Sequence, residues 1–346
     1  MSPGAAQEPG PPDVVSLGEP LVQLSPPSGR TLQATGTLEV HTAGAEMNVA
    51  LGLARLGHRS AFVGRVGEDP FGARILDELR SAGVDVSGVR QEPLLPTGIY
   101  LKDHDRTATS VYYYREGSAA ATMSPADLGS VPAGPSWFHV SGITAALSPS
   151  CAALLEALLE DRPGRARVSF DVNHRPGLWP PRRAGQVLLA LARRADLVFV
   201  GRDEAAELWG TGSADDVRRL LPDVPAVVVK DAGAGATSMR GAQVTTVRSL
   251  PVEVVEAVGA GDAFAAGYLS ATLGETDERT ALRWGHLFAA RALLSVADQV
   301  EPPPPDLLAE AARREDSWWC GPELMRHAYL CGQVPLAAAC LMEQEG

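Results

Sequence analysis

Short apolar runs alternate along the chain with longer segments in which apolar residues recur three or four positions apart. The short runs are rich in valine and are flanked by glycine or polar residues, which predicts buried strands at 13–19, 60–66, 137–141, 167–173, 196–200 and 226–230. The longer segments predict helices at 43–57, 149–160, 182–194 and 278–296, and a further helix begins at Pro70. Strands that alternate with helices are typical of a parallel sheet covered by helices, so we expect an α/β fold.

Residues 97–115 depart from this pattern, because two short alternating segments there flank the polar run 103–106. Alternation on both sides of a turn predicts a hairpin. Successive side chains of a strand point to opposite faces, so Tyr112 and Tyr114 share one face and Tyr113 takes the other. An exposed hairpin seldom stands alone, and we expect these strands to contact a ligand or a second subunit.

Composition sets the two ends of the chain apart from its centre. Residues 1–12 are rich in proline and glycine, which predicts a disordered leader. The domain is expected to span 13–300, because the prolines at 302–305 cannot continue a helix or a central strand. Residues 301–346 then form a proline-rich linker and a C-terminal extension of unknown role. Cys151 and the three tail cysteines lack the paired spacing of a zinc site, and we expect reduced thiols.

The bulk properties exclude several classes of protein. A chain of 346 residues that is 45% hydrophobic and 21% charged has the composition of a soluble globular protein. A formal charge of −12 argues against nucleic acid or an acidic membrane as the main partner. No apolar run reaches the ~20 residues of a membrane span, and the first residues do not resemble a signal peptide. We therefore expect a cytoplasmic protein.

The stretch 254–268 carries the strongest chemical signal. Gly259, Ala260 and Gly261 allow the backbone to approach a ligand closely, and the first N–H groups of the helix that follows lack internal partners, which favours a phosphate site. A carboxylate repels phosphate, so Asp262 is better explained as a base that takes a proton from an attacking hydroxyl. The helix dipole would keep it ionised. Alternatively, Asp262 only caps the helix.

A second candidate lies after the predicted strand 167–173, in the sequence His174-Arg175-Pro176. Open α/β sheets bind ligands at the carboxyl ends of their strands. Arg175 could pair with a substrate carboxylate through two parallel hydrogen bonds. The alternative is an ordinary solvated arginine.

Residues 256–262, Glu-Ala-Val-Gly-Ala-Gly-Asp, resemble the signature Asp-Thr-x-Gly-Ala-Gly-Asp of the ribokinase/PfkB family of sugar kinases, with departures at Glu256 and Ala257. Gly44 and Asn48 match the family's Gly-Gly-x-x-x-Asn motif, in which Ala43 replaces the first glycine. The resemblance covers about residues 13–300. It implies a ribokinase-like three-layer αβα domain, with a mostly parallel central sheet and a small β-sheet lid at about 97–115.

The resemblance also implies sites for ATP, Mg²⁺ and a sugar. Catalysis would fall to Asp262 with Gly259, Ala260 and Gly261. The substrate would contact Gly44, Ala45, Glu46, Met47, Asn48, Tyr100, Tyr113, Tyr114, Arg115, Arg175 and Asp262. The nucleotide would contact Asn173, His174, Arg175, Lys230, Asp231, Ala232, Gly233, Ala234, Gly235 and the turn from Gly259 to Asp262. Glu204 would bind the metal. It is the glutamate of the family's Asn-x-x-Glu motif, in which Gly201 here replaces the asparagine. Alternatively, Asp203 and Glu204 are simply carboxylates that favour a helix start.

Within the family, residues 44–48, 113–120 and 171–176 are most similar to 2-keto-3-deoxygluconate kinases. This implies transfer of the ATP γ-phosphoryl group to the 6-hydroxyl of a keto-deoxy sugar acid. A substrate carboxylate would explain both Arg115 and Arg175, which a neutral sugar would not need.

Two alternatives stay open. One is a kinase for fructose or ribose, and the other is a nucleotide-binding relative without activity, suggested by the departures at Gly201, Ala232, Ala257 and His286. For partners we expect the sugar acid and ATP, no nucleic acid, no membrane, and a second copy of the chain through the lid strands.

Overall fold

The computed structural model describes residues 10–27, 30–104, 109–295 and 300–319. The chain divides into two compact units, one of residues 1–196 and one of residues 197–346. Each unit alternates strands and helices, as the apolar pattern predicts.

The strands of the first unit form two sheets. They are β1 Val14–Leu17, β2 Leu21–Ser25, β3 Glu39–Ala43, β4 Ser60–Gly67, β5 Asp85–Glu92, β6 Ile99–His104, β7 Thr109–Tyr114, β8 Trp137–Ser141 and β9 Arg167–Asp171. In the larger sheet the order β9-β8-β1-β4-β5 is parallel throughout. Every residue of β1, β4 and β8 is buried, as expected for strands that helices cover on both faces.

The helices of the first unit follow these strands. They are α1 Ala45–Arg55, α2 Pro70–Ser81, α3 Gly142–Leu147, α4 Pro149–Glu160 and α5 Pro181–Ala192. Asp69 caps α2 by accepting the N–H groups of Phe71 and Gly72, with Pro70 as the first helical residue. Met47 and Leu51 of α1 pack with Ile75 of α2 in the core of this unit.

The smaller sheet has the order β3-β2-β6-β7. The hairpin of β6 and β7 is antiparallel and pairs Tyr100 with Tyr113, which confirms the strands predicted within 97–115. Residues 105 and 106 of the predicted turn lie outside the described residues. The sequence pattern did not predict β2, which lies between the hairpin and β3 and pairs with both.

The second unit contains β10 Leu197–Gly201, β11 Ala226–Asp231, β12 Gly235–Arg240 and β13 Gln243–Val247. Its helices are α6 Arg202–Trp209, α7 Ala214–Leu220, α8 Ala260–Leu273, α9 Glu278–Leu293 and α10 Pro305–Arg313. β10 and β11 are parallel, while β12 and β13 add an antiparallel hairpin that the sequence pattern did not predict. The mostly parallel strands of the larger sheet, together with the small four-stranded sheet, confirm the predicted α/β fold class with a β-sheet lid.

The prolines at 302–305 do not continue α9, and Pro305 begins a new helix, α10. A proline loses nothing at this position because first-turn N–H groups have no acceptor within the helix. α10 packs on α9, with the indole N–H of Trp284 donating to the carbonyl of Leu308 at 3.0 Å. Cys151 is a buried reduced thiol, whereas the other cysteines, at 320, 331 and 340, lie outside the described residues.

Candidate active site

The glycine turn before α8 has the geometry expected of an anion site. Gly259 has φ of +84°, a left-handed conformation that favours glycine, and it is the residue that caps the helix. α8 begins at Ala260, so Asp262 lies inside the first turn. The alternative in which Asp262 is the cap is therefore wrong, because Gly259 occupies that position. N–H groups in the first turn of a helix lack acceptors within it, which favours an anionic ligand there; at this turn the Ala260 N–H makes only a long bond, 3.4 Å, to the carbonyl of Ala257.

Glu256 stabilises the approach to this turn. Its carboxylate is buried and accepts the backbone N–H groups of Ala257 at 2.8 Å and Val258 at 3.2 Å. These bonds fix the backbone just before Gly259. The longer side chain at position 256 thus has a structural use here, although the family pattern has aspartate.

A cavity of about 450 Å³ lies in the second unit and runs to this turn. Its walls are mainly apolar and include Leu250, Pro251, Val252, Phe264, Ala290 and Leu293. Ala260, Gly261 and Lys230 also line it, and a methyl group built on Gly261 would lie 3.4 Å from Lys230 Nζ. An apolar chamber that leads to an ammonium group and a helix N-terminus suits a molecule with a planar base and phosphates.

The turn from Asp231 to Gly235 forms another wall of the same cavity through Ala232, Gly233 and Gly235. A side chain at Gly235 is excluded, since its φ is +138° and a Cβ there would lie 2.3 Å from the carbonyl oxygen of Val247. Ala232 adopts φ of +38°, a conformation that costs an alanine free energy. Asp231 accepts a hydrogen bond from Arg202 at 2.8 Å.

His286 lines the cavity from α9 and is uncharged. Burial lowers its pKa to about 4. Its Nε2–H donates to the carbonyl of Val247 at 3.1 Å, since a carbonyl oxygen can only accept, and its ring meets Phe264 edge-on at 5.2 Å between centroids. The family resemblance places this position where relatives often carry an asparagine near the adenine.

The low pKa of His286 predicts a pH dependence of stability. The unfolded chain binds more protons between pH 6.5 and about 4, so this residue lowers the free energy of unfolding as the pH falls through that range, by a slope approaching about 1.4 kcal/mol per pH unit. Urea unfolding of the wild type and of His286→Asn at several pH values measures the effect. Between pH 6.5 and 4, the free energy of unfolding should fall less steeply with decreasing pH in the variant than in the wild type. Equal slopes for the two proteins would contradict a lowered pKa of His286.

In the first unit, Arg115 is buried beside Glu19 and contacts the exposed Tyr113, which packs on the buried Tyr100. Its guanidinium pairs with the Glu19 carboxylate and lies over the Tyr113 ring, 4.8 Å from the centroid, and Tyr113 packs on Tyr100 at 5.6 Å. Arg115 is 7% exposed and Glu19 1% exposed. Burial raises the pKa of Glu19, and the Arg115 charge opposes this effect. Tyr114 points outward and is exposed.

Sequence reasoning missed Glu19, although a signal was present. The residue follows the buried strand β1 directly, after Gly18, and a carboxylate at such a strand end needs a partner.

The motif from Gly44 to Asn48 only partly faces outward. The Glu46 carboxylate is fully buried and accepts the hydroxyl groups of Ser141 and Thr144 at 2.7 Å each, while the Met47 side chain lies in the hydrophobic core. These two side chains differ from the expectation of substrate contact, because the helix that carries them turns them inward. Gly44, Ala45 and Asn48 keep partial exposure.

The loop after β9 brings Asn173, His174 and Arg175 to the end of a buried strand. Asn173 adopts φ of +42°, and His174 Nε2 donates to the carbonyl of Trp179 at 3.3 Å. Both side chains are buried, whereas Arg175 is exposed and donates to the carbonyl of His174 at 3.2 Å. Arg175 is thus the exposed cation of the predicted set.

Glu204 lies in the first turn of α6 and accepts the N–H of Gly201 at 2.9 Å, as a helix-start carboxylate does. Within the described residues, no group of three or more His, Cys, Asp and Glu side chains could hold a metal ion. A single carboxylate suits a Mg²⁺ ion that arrives with nucleotide phosphates and keeps most of its waters, so Glu204 fits that ion.

A family model for the pfkB family of carbohydrate kinases matches residues 11–304 of this chain. The chain belongs to the PfkB family. It is a carbohydrate kinase, as the sequence signature predicts, and the match includes both the glycine turn and the motif at 44–48. Among the helices in the described part of this PfkB kinase, none is long and apolar enough to cross a membrane.

Relatives of this PfkB kinase include proteins named for keto-deoxy sugar acids and proteins named for fructose. A 2-dehydro-3-deoxygalactonokinase of Haloferax volcanii is 33% identical over 286 residues, 80% of this chain and 90% of the relative. A 2-dehydro-3-deoxygluconokinase of Thermoproteus tenax is 34% identical over 278 residues, 78% of this chain and 84% of the relative. A fructokinase of Escherichia coli is 34% identical over 272 residues, 76% of this chain and 86% of the relative.

Solved structures of the family share the fold. An uncharacterized sugar kinase of Pyrococcus horikoshii in complex with ATP aligns with a TM-score of 0.75 and 26% identity, covering 87% of this chain and 99% of that one. This similarity supports the use of ATP by the PfkB kinase described here. It also confirms the expected ribokinase-like fold.

Proposed function

We propose that this PfkB kinase phosphorylates the 6-hydroxyl of 2-keto-3-deoxygluconate with ATP, giving 2-keto-3-deoxy-6-phosphogluconate. The observation that carries the proposal is the cavity of the second unit, which leads from apolar walls to Lys230 and the turn at 259–261. The relatives named for keto-deoxy sugar acids support the choice of acceptor.

In this proposal the nucleotide base occupies the apolar part of the cavity and the phosphates lie towards Lys230. The backbone N–H groups from Gly259 to Asp262 stabilise the charge that develops on the transferred group, helped by the positive end of α8. Asp231, Ala232, Gly233, Ala234 and Gly235 form the second wall, and Asn173, His174 and Arg175 remain candidates for nucleotide contact. Mg²⁺ held through Glu204 and water would shield the β- and γ-phosphates.

Asp262 is proposed as the general base. A carboxylate in the first helical turn is kept ionised by the dipole, and it can accept the proton of the 6-hydroxyl as that oxygen attacks phosphorus. The proton moves from the hydroxyl oxygen to the Asp262 carboxylate as the oxygen–phosphorus bond forms. The bond between the γ-phosphorus and the bridging oxygen breaks, and ADP leaves with its electron pair. Gly259, Ala260 and Gly261 position this step through their backbone.

The two arginines have different roles towards the substrate acid. Arg115 is already paired with Glu19, so the pair brings no net charge to the substrate. Arg115 instead contributes rigid N–H donors, and the Tyr113 ring beneath its guanidinium provides an aromatic surface. Arg175 is exposed and supplies the positive charge for the carboxylate. Gly44, Ala45, Asn48, Tyr100, Tyr113 and Tyr114 complete the proposed sugar contacts, with Glu46 and Met47 supporting them from the interior.

A kinase for a neutral sugar is the second candidate, and the similarity to a fructokinase favours it. The two candidates differ in the acceptor and not in the nucleotide site. An inactive relative is the third possibility, suggested by the departures at 201, 232, 257 and 286. The intact turn with Gly259 and Asp262 argues against it.

A substrate panel separates these candidates. Purified full-length protein with ATP and Mg²⁺ is assayed for ADP release with 2-keto-3-deoxygluconate, 2-keto-3-deoxygalactonate, fructose and ribose. We expect kcat/KM for a keto-deoxy acid to exceed that for fructose by about 10²-fold or more, because the charge of Arg175 and the N–H donors of Arg115 would lack their proposed carboxylate partner with a neutral sugar. Preference for fructose or ribose would establish the second candidate. Nucleotide binding without any turnover would establish the third.

We also propose that two copies associate through the lid strands in the cytoplasm. β7 is at the edge of the smaller sheet, and Tyr112 and Tyr114 are exposed on it. An exposed aromatic edge strand offers unpaired backbone groups to another chain. Size-exclusion chromatography with light scattering should give about twice the mass of one chain, and Tyr112→Lys should shift it towards the monomer.

A further inference from the structure

We propose that the segment 314–319, which follows α10, holds one wall of the nucleotide cavity in place, with Trp319 and Arg283 as positioning residues for nucleotide binding. This segment lies beyond the part of the chain that matches the family model, which ends at 304. The inference rests on the proposed function, because it takes the cavity of the second unit as the ATP site.

The wall in question is the stretch from Ser249 to Val254, which has no regular secondary structure. It provides Ser249, Leu250, Pro251, Val252 and Val254 to the cavity lining. A wall without a backbone ladder needs side chains to hold it, because its own peptide groups do not fix its position.

Two ring N–H groups hold the backbone at the start of this wall. The indole Nε1–H of Trp319 donates to the carbonyl of Arg248 at 2.8 Å, and the Nε2–H of His286 donates to the carbonyl of Val247 at 3.1 Å. The two acceptors are consecutive, directly before Ser249. Trp319 therefore fixes the point at which the wall leaves β13.

Trp319 also touches the side of the cavity that α9 provides. Its ring lies 6.4 Å from that of His286, which in turn packs edge-on against Phe264. Both His286 and Phe264 line the cavity. Loss of the indole would leave a void behind His286 and remove one of the two ring N–H bonds to the backbone directly before Ser249.

Arg283 connects this tryptophan to α10. Its guanidinium is 1% exposed, donates to the carbonyls of Ala311 at 2.9 Å and Arg314 at 2.6 Å, and lies 5.3 Å from the Trp319 ring centroid. A bond to Asp316 at 2.7 Å adds a third contact with the segment. Carbonyls at a helix C-terminus lack partners within the helix, so Arg283 both satisfies them and sets the path of 314–319.

The neighbouring residue Trp318 provides a matched control. It is equally buried at 8% exposure, but its indole nitrogen has no hydrogen-bond partner among the described atoms and its ring faces Arg314 at 5.9 Å. Removing it deletes an indole of the same size and burial but leaves the contacts of Trp319 with Arg248, His286 and Arg283 in place.

The test uses full-length wild type, Trp319→Ala, Trp319→Phe and Trp318→Ala. ADP binding is measured by calorimetry, and KM for ATP and for the sugar acid is measured in steady state. We expect Trp319→Ala to weaken ADP binding about tenfold and to raise KM for ATP similarly, with KM for the sugar acid unchanged. Trp319→Phe keeps a ring and loses the N–H, and it should weaken binding by about a factor of five. Trp318→Ala should stay within about twofold of the wild type.

Wild-type ADP affinity in Trp319→Ala would overturn the proposal, as would an equal loss in Trp318→Ala. If circular dichroism shows that Trp319→Ala does not fold, Trp319→Phe decides, and unchanged ADP binding by that variant counts against the proposal. If the wild type itself binds neither ADP nor ATP, the proposed function fails and this inference fails with it. If nucleotide binding is intact but no sugar acid is phosphorylated, only the proposed substrate is wrong.

Discussion

Replacing Asp262 with asparagine is expected to lower kcat by about 10³-fold, the scale at which a positioned general base contributes. Asparagine has nearly the same shape but cannot accept the hydroxyl proton. The backbone of the turn should persist because Gly259, and not Asp262, caps α8. Dissociation constants for ADP and for the sugar acid should therefore change by no more than a few fold. Single-turnover kinetics with saturating ATP separates this loss of chemistry from a loss of binding.

Asp203→Asn is the control for this prediction. Asp203 is also an acidic residue in a first helical turn, that of α6, but its side chain is 90% exposed. Its neutralisation should leave kcat within about twofold, since exposed charges contribute little. If Asp262→Asn turned over near the wild-type rate, Asp262 would have to be removed from the role of base.

Replacing Glu19 with alanine is expected to lower the free energy of unfolding by about 3–5 kcal/mol, because it leaves the guanidinium of Arg115 buried without its counter-charge. Both groups are nearly inaccessible to water, so solvent cannot compensate. Urea unfolding followed by tryptophan fluorescence measures the change. The same variant should raise KM for the sugar acid more than KM for ATP, since Arg115 is a proposed contact of the acid.

Two further variants test the cause of this destabilisation. Glu19→Ala combined with Arg115→Met removes both charges, and it should recover much of the lost stability. Asp13→Ala breaks the surface pair with Arg59 and should destabilise the chain much less than Glu19→Ala, because water can solvate the charge that is left. A double variant as unstable as Glu19→Ala would show that the unpaired charge is not the cause.

The sequence predicted those elements whose signals are local. The strand 137–141 and the helix 149–160 have the predicted bounds, because a short buried run with apolar residues and a Ser-Pro helix start each carry their own pattern. The turn at 259–261 was found for a similar reason, since its glycines are needed for the backbone conformation they adopt. The hairpin within 97–115 follows from alternation around a turn.

The features that the sequence did not predict depend on distant partners. β2 lies after Pro20 and carries no clear alternation, and it is fixed by pairing with β3 and β6. Arg115 and Glu19 are 96 residues apart, so no local pattern joins them. Trp319 and Arg248 are separated by 71 residues. In each case the tertiary packing decides which side chains meet.

The buried carboxylate of α1 restricts what another position can carry. A Cβ placed on Gly18 would lie 2.2 Å from the carboxyl carbon of Glu46, closer than any real contact. An alanine at position 18 would therefore require either a shorter residue at position 46 or a movement of the Glu46 carboxylate away from its hydroxyl partners. Among homologous kinases, these two positions should change together, and one that has diverged at only the first of them would have to rebuild the hydroxyl contacts of Ser141 and Thr144.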